Sequence, residues 1–229
     1  MLWQLIQGFL YGGVEDIDMA RMLVRFAATA VVLILCLPIH EFAHAWAAKK
    51  LGDETAAMHG RLTLNPSKHL DLVGTLMILF VGFGYAKPVP VNPRNFKHYK
   101  KGMALTAAAG PLSNLILAVL FCIVYNALWL FPANGNDLIP MLRDFFGYVF
   151  AINVTLMVFN LIPFPPLDGS RILDLLLPAK WSDFIAQYEH IMRWGVFVLL
   201  LFRGAIGWLA GWVITGIDTL VGLPFGFGF

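Results

Sequence analysis

Apolar residues run along this chain in long blocks, separated by short polar stretches that hold most of the charge. Four blocks, residues 21–49, 103–131, 145–162 and 194–220, are long enough to cross a hydrocarbon core of ~30 Å as helices. The last is interrupted by Arg203, Gly204, Gly207 and Gly211, so it reads either as one tilted span or as a span followed by a tryptophan-rich interfacial helix. A fifth block, 70–86, is shorter and carries Gly74, Gly82 and Gly84. The stretches flanking it are basic, with Lys49, Lys50, Arg61 and Lys68 before it and Lys87, Arg94, Lys97, Lys100 and Lys101 after it. The excess of Lys and Arg places both flanks on the cytoplasmic side, so 70–86 enters and returns as a re-entrant hairpin buried by protein. Residues 1–12 lack a basic leader and a small-residue cleavage site, and read as an interfacial helix.

Two polar stretches alternate with period two. Arg61-Leu62-Thr63-Leu64-Asn65-Pro66 and Lys87-Pro88-Val89-Pro90-Val91-Asn92-Pro93 are each predicted as a short edge strand near the cytoplasmic side. Pro88 and Pro90 have no N–H, so the second edge pairs only on the side of Val89 and Val91. A peptide must be extended to be cut, and such an edge can hold it by strand addition. Val89 and Val91 are therefore candidate substrate-binding residues, against the competing reading of a solvated loop stiffened by proline. The expected fold is an all-α polytopic membrane protein, one helical bundle over residues 1–229 with a re-entrant hairpin and short edge strands.

Composition agrees. Of the 229 residues 59% are hydrophobic and 13% charged, which excludes a soluble globular protein. A net charge of +2 gives no electrostatic footprint for nucleic acid, and the partner implied is the lipid bilayer. Cys36 and Cys122 both lie in apolar runs and read as small core residues.

The chemistry is concentrated near the end of the first block, in His40-Glu41-Phe42-Ala43-His44. On a helix, residues four apart share a face, so His40 and His44 can ligate one Zn²⁺ while Glu41 reaches its water. The same motif on a solvated helix face would mean little. Here it continues a run from Phe26 to Leu37 without a single charge, where ionisable groups are costly unless paired, metal-bound or open to water. Pro38 is expected to kink the helix where the motif begins. Cys36, one turn earlier on the same face, could also reach a metal, although packing is the better reading.

Catalytic zinc usually takes three protein ligands. Glu15, Asp16 and Asp18 lie at the opposite end of the first span, and Asp137 and Asp144 flank a loop assigned to the outside. Asp168 remains, in the proline-broken stretch Pro163-Phe164-Pro165-Pro166-Leu167-Asp168-Gly169, with His59 and His69 as alternatives. With 70–86 re-entrant, two crossings separate the histidines from Asp168 and all three meet at one depth. Counted as a full crossing, it would leave Asp168 outside. In the block 103–131, Ala107-Ala108-Ala109-Gly110-Pro111-Leu112-Ser113-Asn114 offers small residues for close helix approach, a proline that tolerates a local break able to expose backbone to a cavity, and a polar Asn114. Asn114 reads equally as an interhelical hydrogen-bonding residue.

These three motifs, His40 to His44, Ala109 to Asn114 and Asn160 to Gly169, resemble in order the signature of the site-2 protease family of intramembrane zinc metalloproteases, in its compact prokaryotic form without PDZ or CBS domains. The resemblance covers roughly residues 26–177. It implies a zinc metalloendopeptidase with one catalytic Zn²⁺ held by His40, His44 and Asp168, with Glu41 as acid/base and Asn114 near the substrate carbonyl. Substrates would be membrane-spanning proteins, cut within or next to a transmembrane helix at a site open to the cytoplasm. The competing reading is a metal carrier or scaffold without proteolysis. Against it, Glu41 has no use in a carrier, and the other spans are poor in His, Cys and Asp.

Overall fold

The computed structural model describes residues 19–81, 84–133, 135, 137–178 and 203–225, with scattered positions between 180 and 195. The expected interfacial helix of residues 1–12 lies outside the described residues. Helix α1 runs Met19–Lys50, and short helices α2 (Thr55–Met58) and α3 (Pro66–His69) follow. Next come α4 (Leu72–Val81), α5 (Tyr99–Leu128), α6 (Leu138–Asn160), α7 (Asp168–Asp174) and α8 (Arg203–Gly222). Among the described residues, four helices are long and apolar enough to cross a membrane: α1, α5, α6 and the helix Gly204–Phe225 that contains most of α8. The protein is a polytopic all-α membrane protein. Whether anything helical precedes α8 in the fourth block falls largely outside the described residues.

Helix α6 lies at the centre. Its Phe150, Val154, Met157 and Val158 pack with Ala118 and Cys122 of α5 and Ala210 of α8, while Val149 meets Ala28, Val32 and Cys36 of α1. The contact residues from α5 and α8 are small, which lets helices approach where lipid supplies no hydrophobic drive between them. Large apolar side chains such as Ile34, Leu112, Ile116, Leu120 and Trp208 point outward, as they would toward acyl chains.

Pro38 does not break α1. Instead the turn before it, Val32–Cys36, is a π turn, and the Leu37 N–H bonds back to the Val32 carbonyl, five residues away. One extra residue in the turn accommodates the proline ring while the helix continues. At Pro111, where a local break would be tolerated, α5 is continuous. Ser113 Oγ donates to the Gly110 carbonyl at 2.7 Å.

The short apolar block turns back. Leu70 and Ala86 form an isolated antiparallel bridge, and the Lys87 N–H donates to the His69 carbonyl at 2.8 Å, so both ends of the segment meet. Between them α4 has ten residues, about 15 Å of rise, which is half a hydrocarbon core. The returning chain closes on α4 through glycine: a Cβ on Gly74 would stand 2.0 Å from the Tyr85 carbonyl oxygen, and one on Gly84 2.1 Å from that of Gly74.

The two predicted edge strands are not formed. Among the described residues the Leu70–Ala86 bridge is the only pairing of this kind, and residues 61–66 and 87–93 carry no strand. At 87–93, two of the carbonyls that a ladder would use are taken by a side chain. The Arg61 guanidinium donates to the carbonyls of Lys68 and Lys87, and to that of Pro88 at 2.8 Å. At the other end, buried Asp53 accepts from the Asn92 N–H (2.7 Å) and from Asn95 Nδ2 (2.7 Å), besides Thr55. Burial raises the Asp53 pKa, but the bonds from Thr55, Asn92 and Asn95 outweigh it and hold this carboxyl below the usual carboxylate range. Val89 to Val91 is thus a strap held at both ends.

Candidate metal centre

Helix α1 presents His40 and His44, both buried, and α7 brings Asp168 to them from its first turn. His40 Nε2 and His44 Nε2 are 3.0 Å apart, and Asp168 Oδ2 lies 3.5 and 3.4 Å from them. Among the described residues these three form the one group of His, Cys, Asp or Glu side chains converging as a metal set would. Tetrahedral zinc with ligands at ~2.0–2.1 Å requires edges of about 3.3 Å, which the triangle matches. Asp168 Oδ2 is also buried without a hydrogen-bond partner, a cost that a cation in the triangle removes. The residues present fit zinc.

Helix α5 sets the imidazoles. His44 Nδ1–H donates to the Thr106 carbonyl at 2.8 Å, which leaves the Nε2 lone pair facing the triangle. Gly110, one turn further on, lies against both rings: a Cβ there would stand 2.3 Å from His44 Nε2 and 2.6 Å from His40 Cε1. Asp168 depends on a second close contact, since a Cβ on Gly169 would meet the Leu161 carbonyl oxygen at 2.2 Å. The Asp-Gly pair thereby lets α7 start against the end of α6.

Glu41 is half-buried and outside the ligand triangle. Asn114 is buried, and both its amide atoms lack a partner, so the interhelical hydrogen bond of the alternative reading is not made. The alternative ligands are employed elsewhere. His69 is buried with Nε2 against the Thr63 carbonyl at 2.7 Å, and exposed His59 places Nδ1 2.8 Å from the Thr55 carbonyl. Cys36 is a packing residue that accepts from Asn153 Nδ2 at 3.4 Å. Val89 and Val91 lie in the strap and do not belong to the triangle. Thr106 acts through its backbone, which no side-chain pattern reveals. The small-residue run containing Gly110 pointed to a close approach without saying to what.

A bundle of apolar helices that closes a His₂Asp triangle beside a glutamate defines a polytopic membrane metalloenzyme. Comparison with known proteins narrows the class. The sequence profile of Peptidase family M50 matches residues 28–138 and 133–202. The chain is 42% identical over 200 residues to the Bacillus subtilis (strain 168) protein named "Putative zinc metalloprotease YwhC", covering 84% of this chain and 89% of that one. It is 30% identical over 219 residues to "Putative zinc metalloprotease Rip2" of Mycobacterium tuberculosis (strain ATCC 25618 / H37Rv), covering 93% of this chain and 77% of that one. No solved structure matches. The chain belongs to peptidase family M50, the site-2 proteases, and is a zinc metalloprotease.

Proposed function

We propose that this metalloprotease hydrolyses peptide bonds within or next to the transmembrane helices of membrane-protein substrates, at a site that opens toward the cytoplasm. The observation that carries the reading is the His40–His44–Asp168 triangle, with both histidines buried and Asp168 half-buried, set among helices long and apolar enough to cross a bilayer. A site so placed is reached by membrane-borne chains. The basic flanks of the 70–86 hairpin supply the orientation.

In this reading His40, His44 and Asp168 hold the zinc. When bound, the ion supplies Lewis-acid polarisation and a water acidic enough to give up its proton near neutral pH. Glu41 would take a proton from the attacking water as its oxygen bonds to the peptide carbonyl carbon, and would pass that proton to the departing amine as the C–N bond breaks. Thr106 keeps the His44 tautomer fixed throughout. Asn114, buried and unpartnered, donates from its amide to the carbonyl oxygen as negative charge develops there. The strap presents the backbone N–H groups of Val89 and Val91 to an unwound, extended substrate.

Glu41→Gln tests the reading. It removes the proton acceptor and leaves the ligand set, so purified protein should retain one zinc and lose cleavage of a reporter transmembrane peptide. Full cleavage by Glu41→Gln would refute the assignment.

A further inference from the structure

We propose that Lys100 is a positioning residue for the metal centre: it fastens the far end of α7 to α5 and thereby sets where Asp168 stands relative to the histidines. The inference rests on Asp168 being a zinc ligand.

Helix α7 has seven residues, with Asp168 at one end and Asp174 at the other. At about 1.5 Å per residue it is a rod of roughly 10 Å, too short to hold its own orientation. Its first turn is seated by Gly169 against the Leu161 carbonyl, and by Ser170 Oγ on the Leu167 carbonyl at 2.7 Å. A rod seated at one end still pivots. The other end is held by Lys100 Nζ, which donates to the carbonyls of Asp174 (3.0 Å) and Leu177 (2.6 Å) and to Ser182 Oγ (2.6 Å). An ammonium has three donors, and all three are used. The Asp174 carboxylate stands 3.8 Å away as counter-charge, and the carbonyls at a helix C-terminus favour a cation.

The placement of Lys100 gives this clamp its meaning. It lies in the first turn of α5, six residues before Thr106, whose carbonyl fixes His44, and ten before Gly110, which presses on both imidazoles. One stiff helix therefore refers the histidines and the carboxylate to a common scaffold. Lys101, the next residue, is exposed and serves as the control.

The experiment measures zinc retained against graded chelator by the full chain in detergent, with melting of each zinc-free protein alongside. Asp168→Ala should retain zinc at least 100-fold less well than wild type. Lys100→Met should weaken retention about 10- to 100-fold, as loss of a group orienting a ligand does, with zinc-free melting close to wild type. Lys101→Met should change neither. Cobalt-loaded Lys100→Met should show an altered visible spectrum, which a general loss of stability does not produce. Retention by Lys100→Met within threefold of wild type, or a loss shared by Lys101→Met, overturns the proposal. Should Lys100→Met fail to fold, Ser182→Ala decides: it removes one acceptor and is expected to weaken retention about threefold, and no change overturns the proposal. Undiminished zinc in Asp168→Ala would instead overturn the ligand assignment itself.

Discussion

Gly110→Ala isolates the metal centre from the fold that carries it. The new Cβ would lie 2.3 Å from His44 Nε2 and 2.4 Å from His44 Cε1, where carbon and nitrogen normally keep about 3.5 Å. The ring must therefore yield by about 1 Å, and its Nδ1 bond to Thr106 opposes the movement. Two energies compete in stability. Overpacking costs about 1–3 kcal/mol, while alanine in place of glycine inside α5 returns up to ~1 kcal/mol in helix propensity. Net destabilisation should stay near 1 kcal/mol, so the protein remains folded. Zinc is affected far more, because a displacement of ~1 Å in a preorganised site costs on the order of 100-fold. Purified Gly110→Ala should melt near the wild type, lose zinc to a chelator about 100-fold more readily, and cleave a reporter transmembrane peptide at most at the hundredth part of the normal rate. Zinc retention and cleavage both within threefold of wild type would refute the packing argument.

Further expectations concern the strap, Asn114 and Asp53. Proline at both Val89 and Val91 removes the remaining donors of the strap; cleavage should slow at least tenfold with zinc content unchanged, and an unaltered rate would remove the strap from substrate binding. Asn114→Ala should lower kcat about 100-fold with KM and zinc content little changed, and a loss confined to KM would point to ground-state binding instead. Asp53 has its pKa held below the ordinary 3.8, so its contribution to stability is complete above that value and disappears as pH falls through the folded-state pKa. Asp53→Asn should therefore cost about 1–3 kcal/mol at neutral pH, with the gap in melting temperature closing on acidification below about pH 4; a gap independent of pH would show that the charge is irrelevant.

The parts of the site legible in the sequence are those in which spacing alone carries geometry. His40 and His44 share a helix face by arithmetic, and the basic flanks of 70–86 predict that its two ends lie on one side, ends that the Leu70–Ala86 bridge brings together. Span boundaries were less readable. The third span was placed at 145–162, yet α6 begins at Leu138, because Pro140 falls in a first turn whose N–H groups need no partner. Arg143 and Asp144, which precede the predicted span, are helical anchors: Arg143 binds the Phe131 carbonyl at 2.6 Å, and Asp144 stands 3.9 Å from Arg21. The edge strands failed for a related reason. Alternation signals a ladder only if the carbonyls are free, and at 87–93 the guanidinium of Arg61, from the other predicted edge, occupies those of Lys87 and Pro88. The π turn has no composition signature, since it answers Pro38, six residues later than its own start.

That π turn acts as an angular setting. Residues 28, 32, 36, 40 and 44 are all buried, the first three against α6 and the last two at the metal. In an unbroken α-helix each step of four advances about 40°, and the five would wind across 160° of the cylinder. A wider turn at Val32–Cys36 absorbs part of that drift and keeps them on one flank. Inserting one further apolar residue after Cys36 would add only about 1.5 Å to the hydrophobic run and leave the motif intact, yet swing the histidine pair by about 100° away from the flank that packs on α6. The segment upstream of the histidines is thus free to vary in side chain but not in residue count.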